Sequence, residues 1–235
     1  GSIPDNSVTA LVKHPKTGDI IVGNRNGLLS SLNLHSEHFS KIDIAINKTS
    51  EITCLFFFFF GKLWVSTRGD GIFWYNAVQE RFINYQSDIS NPNSLSSTYV
   101  KTVFQDRSGV IWFTTSYKGI SRFNPNNQSF TSPLKDIDYQ FKSANGAAIN
   151  RIAIDSQTNL WLATDNGVIW VNQKTNEHKI YRHDPLVPNS LADNAVNSVF
   201  VDGNDQVWIG THTRFHHLDP KTGKIEQFKF LPNET

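Results

Sequence analysis

Methionine is absent from this 235-residue chain, cysteine occurs once, and no run of 18 or more apolar residues is found. The single Cys54 excludes an internal disulfide; within its apolar run it is expected to behave as a small buried hydrophobe. It does not fix the redox compartment, because a repeat domain can live in an oxidising space without disulfides. With no long apolar run, no membrane-spanning helix is expected in this segment. The chain opens on Gly1-Ser2, so the lack of a leader says nothing about compartment. An excess of one charge is missing too: 22 basic residues stand against 21 acidic, with no basic run, so no nucleic-acid partner is expected. Glutamate is scarce, with six in the chain, and no Gly-rich phosphate loop or nucleophile elbow occurs. His216 and His217 are adjacent on an expected strand and point to opposite faces, and no acidic or Cys partner lies at a familiar ligand spacing. No metal, cofactor or catalytic residue is therefore assigned.

What is present is aromatic and periodic. Phenylalanine (17) and tryptophan (6) are abundant while charged residues are only 18%, which supports a large core and argues against disorder. The stretch Gly109-Val110-Ile111-Trp112-Phe113-Thr114-Thr115 returns around Trp64, Trp161 and Trp208, at spacings of 48, 49 and 47 residues. A weaker copy puts Ile21 in the Trp position. A fixed period of this length means a repeat architecture.

Each unit reads as four short strands joined by turn chemistry, with no helical periodicity. In the third unit these are 99–104, the Trp strand, 119–123 and a short strand around Phe130. The expected fold is all-β, a β-propeller of four-stranded antiparallel blades, with about five repeats of ~47 residues at 7–50, 51–98, 99–148, 149–195 and 196–230. Blades bury both faces, which explains the near-continuous apolar runs. Asp106, Asp155 and Asp202 each stand six residues before a Trp, where an Asp caps a tight turn. Thr67, Thr115, Thr164 and Thr211 close the Trp strands; Asn76, Asn124, Asn172 and Asp219 follow the third strands. The tryptophans, Trp74 and Trp170 included, are expected in the packing between blades. Pro-Asn-Ser-Leu recurs in the connectors at 92–95 and 188–191.

The run Asp106 to Thr115, with Gly119-Ile120-Ser121-Arg122-Phe123-Asn124-Pro125 and the Asn-Ser-Leu connector ahead of it, resembles the two-component regulator propeller repeat. The resemblance extends from Ser7 to Phe230. It implies the periplasmic or other extracytoplasmic sensor region of a bacterial membrane receptor, such as a hybrid histidine kinase, that responds to nutrients such as glycans. Implied partners are a small polar ligand or oligosaccharide, a neighbouring propeller or output domain, and a homodimer mate. In that family the rings usually have seven blades, so five units are either part of a larger ring or a five-bladed ring.

Function is expected on the loops after each Trp strand, which share a face with the long connectors. They carry Arg25, Asn26, Arg68, Asp70, Tyr117, Lys118, Asp165, Asn166, His212 and Arg214, a set suited to a polar ligand or sugar hydroxyls. Two features depart from the repeat. Phe57, Phe58, Phe59 and Phe60 occupy what is a polar turn elsewhere, and are either tucked under a loop or exposed as a partner interface. Arg214 replaces the Gly found at 71, 119 and 167, so that loop should take another conformation if the position needs φ > 0. Two rival classes stay open. One is a propeller enzyme, either a glycosidase using Asp70 and Asp165 or a lyase of the streptogramin-cleaving type, which the strand Ile111 to Thr114 also resembles. The other is a protein-interaction scaffold.

Overall fold

The computed structural model describes residues 3, 5–47, 50–58, 61–76, 78–106, 108–116, 118–125, 128–132 and 148–228. Among them, twenty strands form five four-stranded antiparallel sheets, each a meander of consecutive strands. The first blade is β1 (Val8–Lys13), β2 (Ile20–Asn24), β3 (Leu29–Asn33) and β4 (His38–Ile42). The second is β5 (Ile52–Phe58), β6 (Lys62–Thr67), β7 (Ile72–Asn76) and β8 (Arg81–Tyr85). The third is β9 (Val100–Gln105), β10 (Ile111–Thr115), β11 (Ile120–Asn124) and β12 (Ser129–Thr131). The fourth is β13 (Ile149–Ile154), β14 (Leu160–Thr164), β15 (Gly167–Val171) and β16 (His178–Tyr181). The fifth is β17 (Val196–Val201), β18 (Val207–Thr211), β19 (Phe215–Leu218) and β20 (Ile225–Phe228). Three blades lie in one compact unit, residues 1–136, and two in another, 137–235.

Register decides which side chains meet. In the fourth blade Ala153, Trp161, Trp170 and Lys179 stand in one row across the sheet, and Ala163, Val168 and Tyr181 in the next row on the same face. Alternation sends the intervening residues to the other face. Within the second unit that face of the fourth blade packs against Val199, Val207, Ile209, Leu218 and Ile225 of the fifth. Within the first unit Trp64, Ile72 and Trp74 of the second blade pack in the same way against Ile111, Phe113, Phe123 and Phe130 of the third. Ile21 and Leu29 of the first blade meet Ile52, Val65 and Phe73 of the second.

The repeated polar residues close the turns. Asp106 Oδ1 accepts from the Ser108 and Val110 N–H groups at 2.9 and 3.0 Å, while its Oδ2 accepts from the Trp112 indole at 2.9 Å. Asp155 and Asp202 repeat this pin on Trp161 and Trp208, at 3.2 and 3.0 Å. The residue three before the Trp position has φ > 0 in every blade: Gly18, Gly61, Gly109, Thr158 and Asp205. A second device joins blades. Each first strand carries a register break near its start. At that break Thr9 donates to the Ile52 carbonyl at 2.6 Å, Thr53 to Val100 at 2.7 Å, and Asn150 Nδ2 to Val196 at 2.9 Å. The bulge thus aims a polar side chain at the first strand of the next blade.

Two expectations are corrected. Phe57 and Phe58 do not lie in a turn: β5 continues to Phe58, which pairs with Lys62. Alternation then sends Phe57 toward the first blade, edge-on to His14 at 4.9 Å, and Phe58 toward the third. Phe59 and Phe60 lie outside the described residues. Trp64, Trp112 and Trp161 are buried as core residues, but Trp208 is only half-buried. It stacks on Phe215 at 5.4 Å, and Phe215 and Phe228 beside it are exposed on the same face of the fifth blade.

Candidate functional site

The loops after the Trp strands are built on a shared closure. Thr67, Thr115 and Thr164 donate to the carbonyls of Gly71, Gly119 and Gly167 at 2.9, 2.9 and 2.8 Å. Their oxygens also accept from Asp70, Lys118 and Asn166 N–H groups. Gly71 and Gly167 have φ of 76 and 100°, and a Cβ there would meet the Tyr85 or Tyr181 carbonyl at 2.2 or 2.3 Å. Arg214 is not among the residues with φ > 0, and Thr211 closes its loop on the Arg214 carbonyl at 3.0 Å. The expected change of conformation is found.

The same loops touch the connectors within each unit. The Gly69 and Gly71 N–H groups donate to Thr98, Gly167 N–H to Asn194, and the Asp70 carboxylate accepts from Asn47 N–H at 2.7 Å. Much of the proposed set is therefore tied into structure. Asp165 accepts from Asn150 at 2.7 Å, the Asn166 carbonyl accepts from Arg182 Nε, and Asn26 donates to Asp5. Arg214 donates to Gln227 at 3.2 Å, and Arg68 lies 3.4 Å from Glu51. Arg25, Lys118 and His212 are exposed. Tyr117 lies outside the described residues.

The recurring connector has a structural job. Ser94 Oγ accepts from Asp88 N–H and donates to the Asp88 carbonyl, both at 2.9 Å; Ser190 does the same with Asp184. The clasp drives Leu95 and Leu191 into the blade cores. His216 is fully buried and its Nε2 accepts from Ala192 N–H at 3.0 Å, so it holds a connector in place as a neutral ring. Burial pushes its pKa below the ordinary histidine value. His217 faces the other way, against Trp208 and Gln206. The Asp202 carboxyl is held below its usual range, first by the Trp208 indole and then by turn N–H groups.

Sequence reasoning did not find a cleft on the opposite edge of the second unit. It measures about 200 Å³ and lies at the seam of the fourth and fifth blades, between the Asp155 and Asp202 turns. Trp161, Trp170, Lys179 and Tyr181 line one wall.

Stacked meanders with pinned turns and a loop edge define a repeat protein of the propeller class, in which the sheets are scaffold and the loops vary. Two stretches of this chain, residues 94–117 and 190–213, match the profile of the two component regulator propeller family. Both matches begin at the clasp serine and run through the pin to the loop beyond the Trp strand. No sequence among curated proteins matches. Among solved structures, the extracellular domain of a Bacteroides thetaiotaomicron protein described as a hybrid two component system is similar over 95% of this chain, with TM-score 0.77 and 17% identity. A second such domain, described as a one component system, is similar over 99%, with TM-score 0.69 and 17% identity. This chain covers 30% and 29% of those two chains. A chain of the nidogen/laminin complex shares the fold over 94% of this chain and 80% of its own, with TM-score 0.59 and 11% identity.

Proposed function

We propose that this segment is the ligand-sensing propeller of a bacterial signalling receptor, placed outside the cytoplasm and responding to a carbohydrate or other small polar nutrient. The observation that carries the reading is the pair of regulator-propeller repeats in a chain whose fold neighbours are extracellular receptor domains. A neighbouring propeller or output domain of the same receptor is the natural partner, since the segment spans less than a third of those neighbours. The mechanism is differential binding: a ligand that contacts one arrangement of domains better shifts the receptor toward it. The segment itself is read as non-catalytic, with the carboxylates of Asp70 and Asp165 engaged in holding a connector and a bulge.

Thermal melting against defined oligosaccharides and small metabolites tests this. A ligand at 100 times its Kd adds about 2.7 kcal/mol of stability. A selective rise in Tm supports sensing, and a flat panel refutes the small-ligand reading. A second reading, a protein-interaction scaffold, draws on the fold shared with a chain of the nidogen/laminin complex. It expects self-association, read by sedimentation, and a monomer at all concentrations would count against self-association.

A further inference from the structure

We infer that the seam between the fourth and fifth blades, on the edge away from the long connectors, is a binding site for a sugar ring. The comparison that carries this lies inside the molecule. In the seam of the second and third blades, Trp64 is packed by Phe123 at 5.1 Å and Phe113 at 5.7 Å, and the space left beside Trp64 and Trp74 is about 40 Å³. Register places Leu218 and Ile225 in the fifth blade where Phe123 and Phe130 stand in the third. Two aromatic rings are thus replaced by aliphatic side chains: Phe123 lines the smaller space, whereas neither Leu218 nor Ile225 reaches the lining of the space of about 200 Å³ beside Trp161 and Trp170. The surrounding residues have changed with it. Asn159 and Lys179 take the positions of Lys62 and Ile83, so an ammonium stands over the second tryptophan in both seams, and Gln157, Asn204 and Gln206 of the turns add amides to the larger one.

The chemistry of the walls selects the ligand. Trp170 supplies a half-buried indole, with Lys179 Nζ 5.4 Å from its ring centre. Tyr181 stacks on Trp161 at 5.9 Å, and burial raises the pKa of its phenol, which stays a neutral donor and acceptor. The carboxylates at the rim are already used. Asp155 accepts from Gln157 and Asn159 N–H groups and the Trp161 indole, and Asp205 from Ser156. Among the described residues, the side-chain amides of Gln157 and Asn204 have no hydrogen-bond partner. An aromatic wall beside amides, a phenol and an ammonium, with the negative charge engaged elsewhere, fits the apolar face and hydroxyl edge of a sugar. The ligand class rests on the carbohydrate reading above; the place does not.

The test is a titration of ¹⁵N-labelled protein with cellobiose, maltose and lactose, following the indole N–H resonances of the six tryptophans. The Trp170 signal, identified by its loss in Trp170→Phe, is expected to shift saturably with at least one sugar. Leu218→Phe combined with Ile225→Phe gives the fifth blade the side chains that the third already carries, and should weaken binding about tenfold or more. Should that pair fail to fold, Gln157→Ala with Asn204→Ala, both on the surface, is expected to weaken binding several-fold. No Trp170 shift with any of the three sugars overturns the assignment. So does binding that moves other resonances and survives the refilled seam, a result that leaves carbohydrate sensing itself standing.

Discussion

Replacing Asp106 by alanine tests whether the pin between turn and tryptophan is a main support of a blade. The carboxylate accepts from two turn N–H groups and from the Trp112 indole, whose side chain is only 1% exposed. Water can replace the carboxylate at the turn, so those two bonds account for roughly 1 kcal/mol together. The indole N–H sits on a buried ring, and leaving it without an acceptor costs roughly 1–3 kcal/mol. Asp106→Ala should therefore destabilise by about 3 kcal/mol, lowering by about 10 °C the Tm of the unit that contains it. Asp106→Asn keeps an oxygen for the turn but turns an N–H toward the indole, and should fall between. Trp112→Phe removes the orphaned donor, so the double variant with Asp106→Ala should recover about 1–2 kcal/mol relative to the sum of the single changes. Differential scanning calorimetry of the four proteins measures this coupling. Additivity within about 0.5 kcal/mol would refute the pin as a stabilising contact. The second blade shows what its loss looks like: Phe58 stands at the Asp position, and the buried Trp64 indole N–H has no hydrogen-bond partner among the described residues.

Thr53→Val removes the hydroxyl that reaches the Val100 carbonyl and should cost about 1 kcal/mol in a urea melt, whereas Thr53→Ser should cost less. Thr158 is a β-branched residue at φ 69°, where sister blades have Gly61 and Gly109, so Thr158→Gly should stabilise by about 1 kcal/mol; a lower urea midpoint would count against strain there. Buried His216 has a depressed pKa, so the folded state takes up its proton less readily than the unfolded chain. Its contribution is complete above the unfolded value of about 6.5 and is lost as pH falls below that toward the folded pKa. His216→Gln, which keeps an acceptor for Ala192, should flatten the fall in Tm between pH 7 and 5 relative to the parent protein.

The Trp period carried the fold because the blade repeats the same burial at the same register, and Asp106, Asp155 and Asp202 could be read as turn caps from position alone. That each Asp also reaches a tryptophan six residues on depends on the hairpin's geometry, which spacing alone does not give. Phe57 and Phe58 were misplaced because the sister turns are polar, while β-strand pairing tolerates an aromatic run that extends it. The staples of Thr9 and Thr53 were hidden for another reason: a bulge changes which way a side chain points without changing its residue type. The loop face was legible as a face, but its carboxylates could not be told from ligand groups until Asn47 and Asn150 were seen to bond them. The seam cleft depended on turn residues of two blades, such as Gln157 and Asn204, meeting beside Trp170, which spacing along the chain does not give.

The inter-blade staples also have a direction. In each one the earlier blade holds the donor and the later blade supplies the carbonyl of its first strand, while the pins on tryptophan close within a single blade. Contacts of this range keep the sequence separation of folding steps short. A chain leaving the ribosome N-terminus first would complete one sheet, donor already in place, before the next strand emerged to meet it.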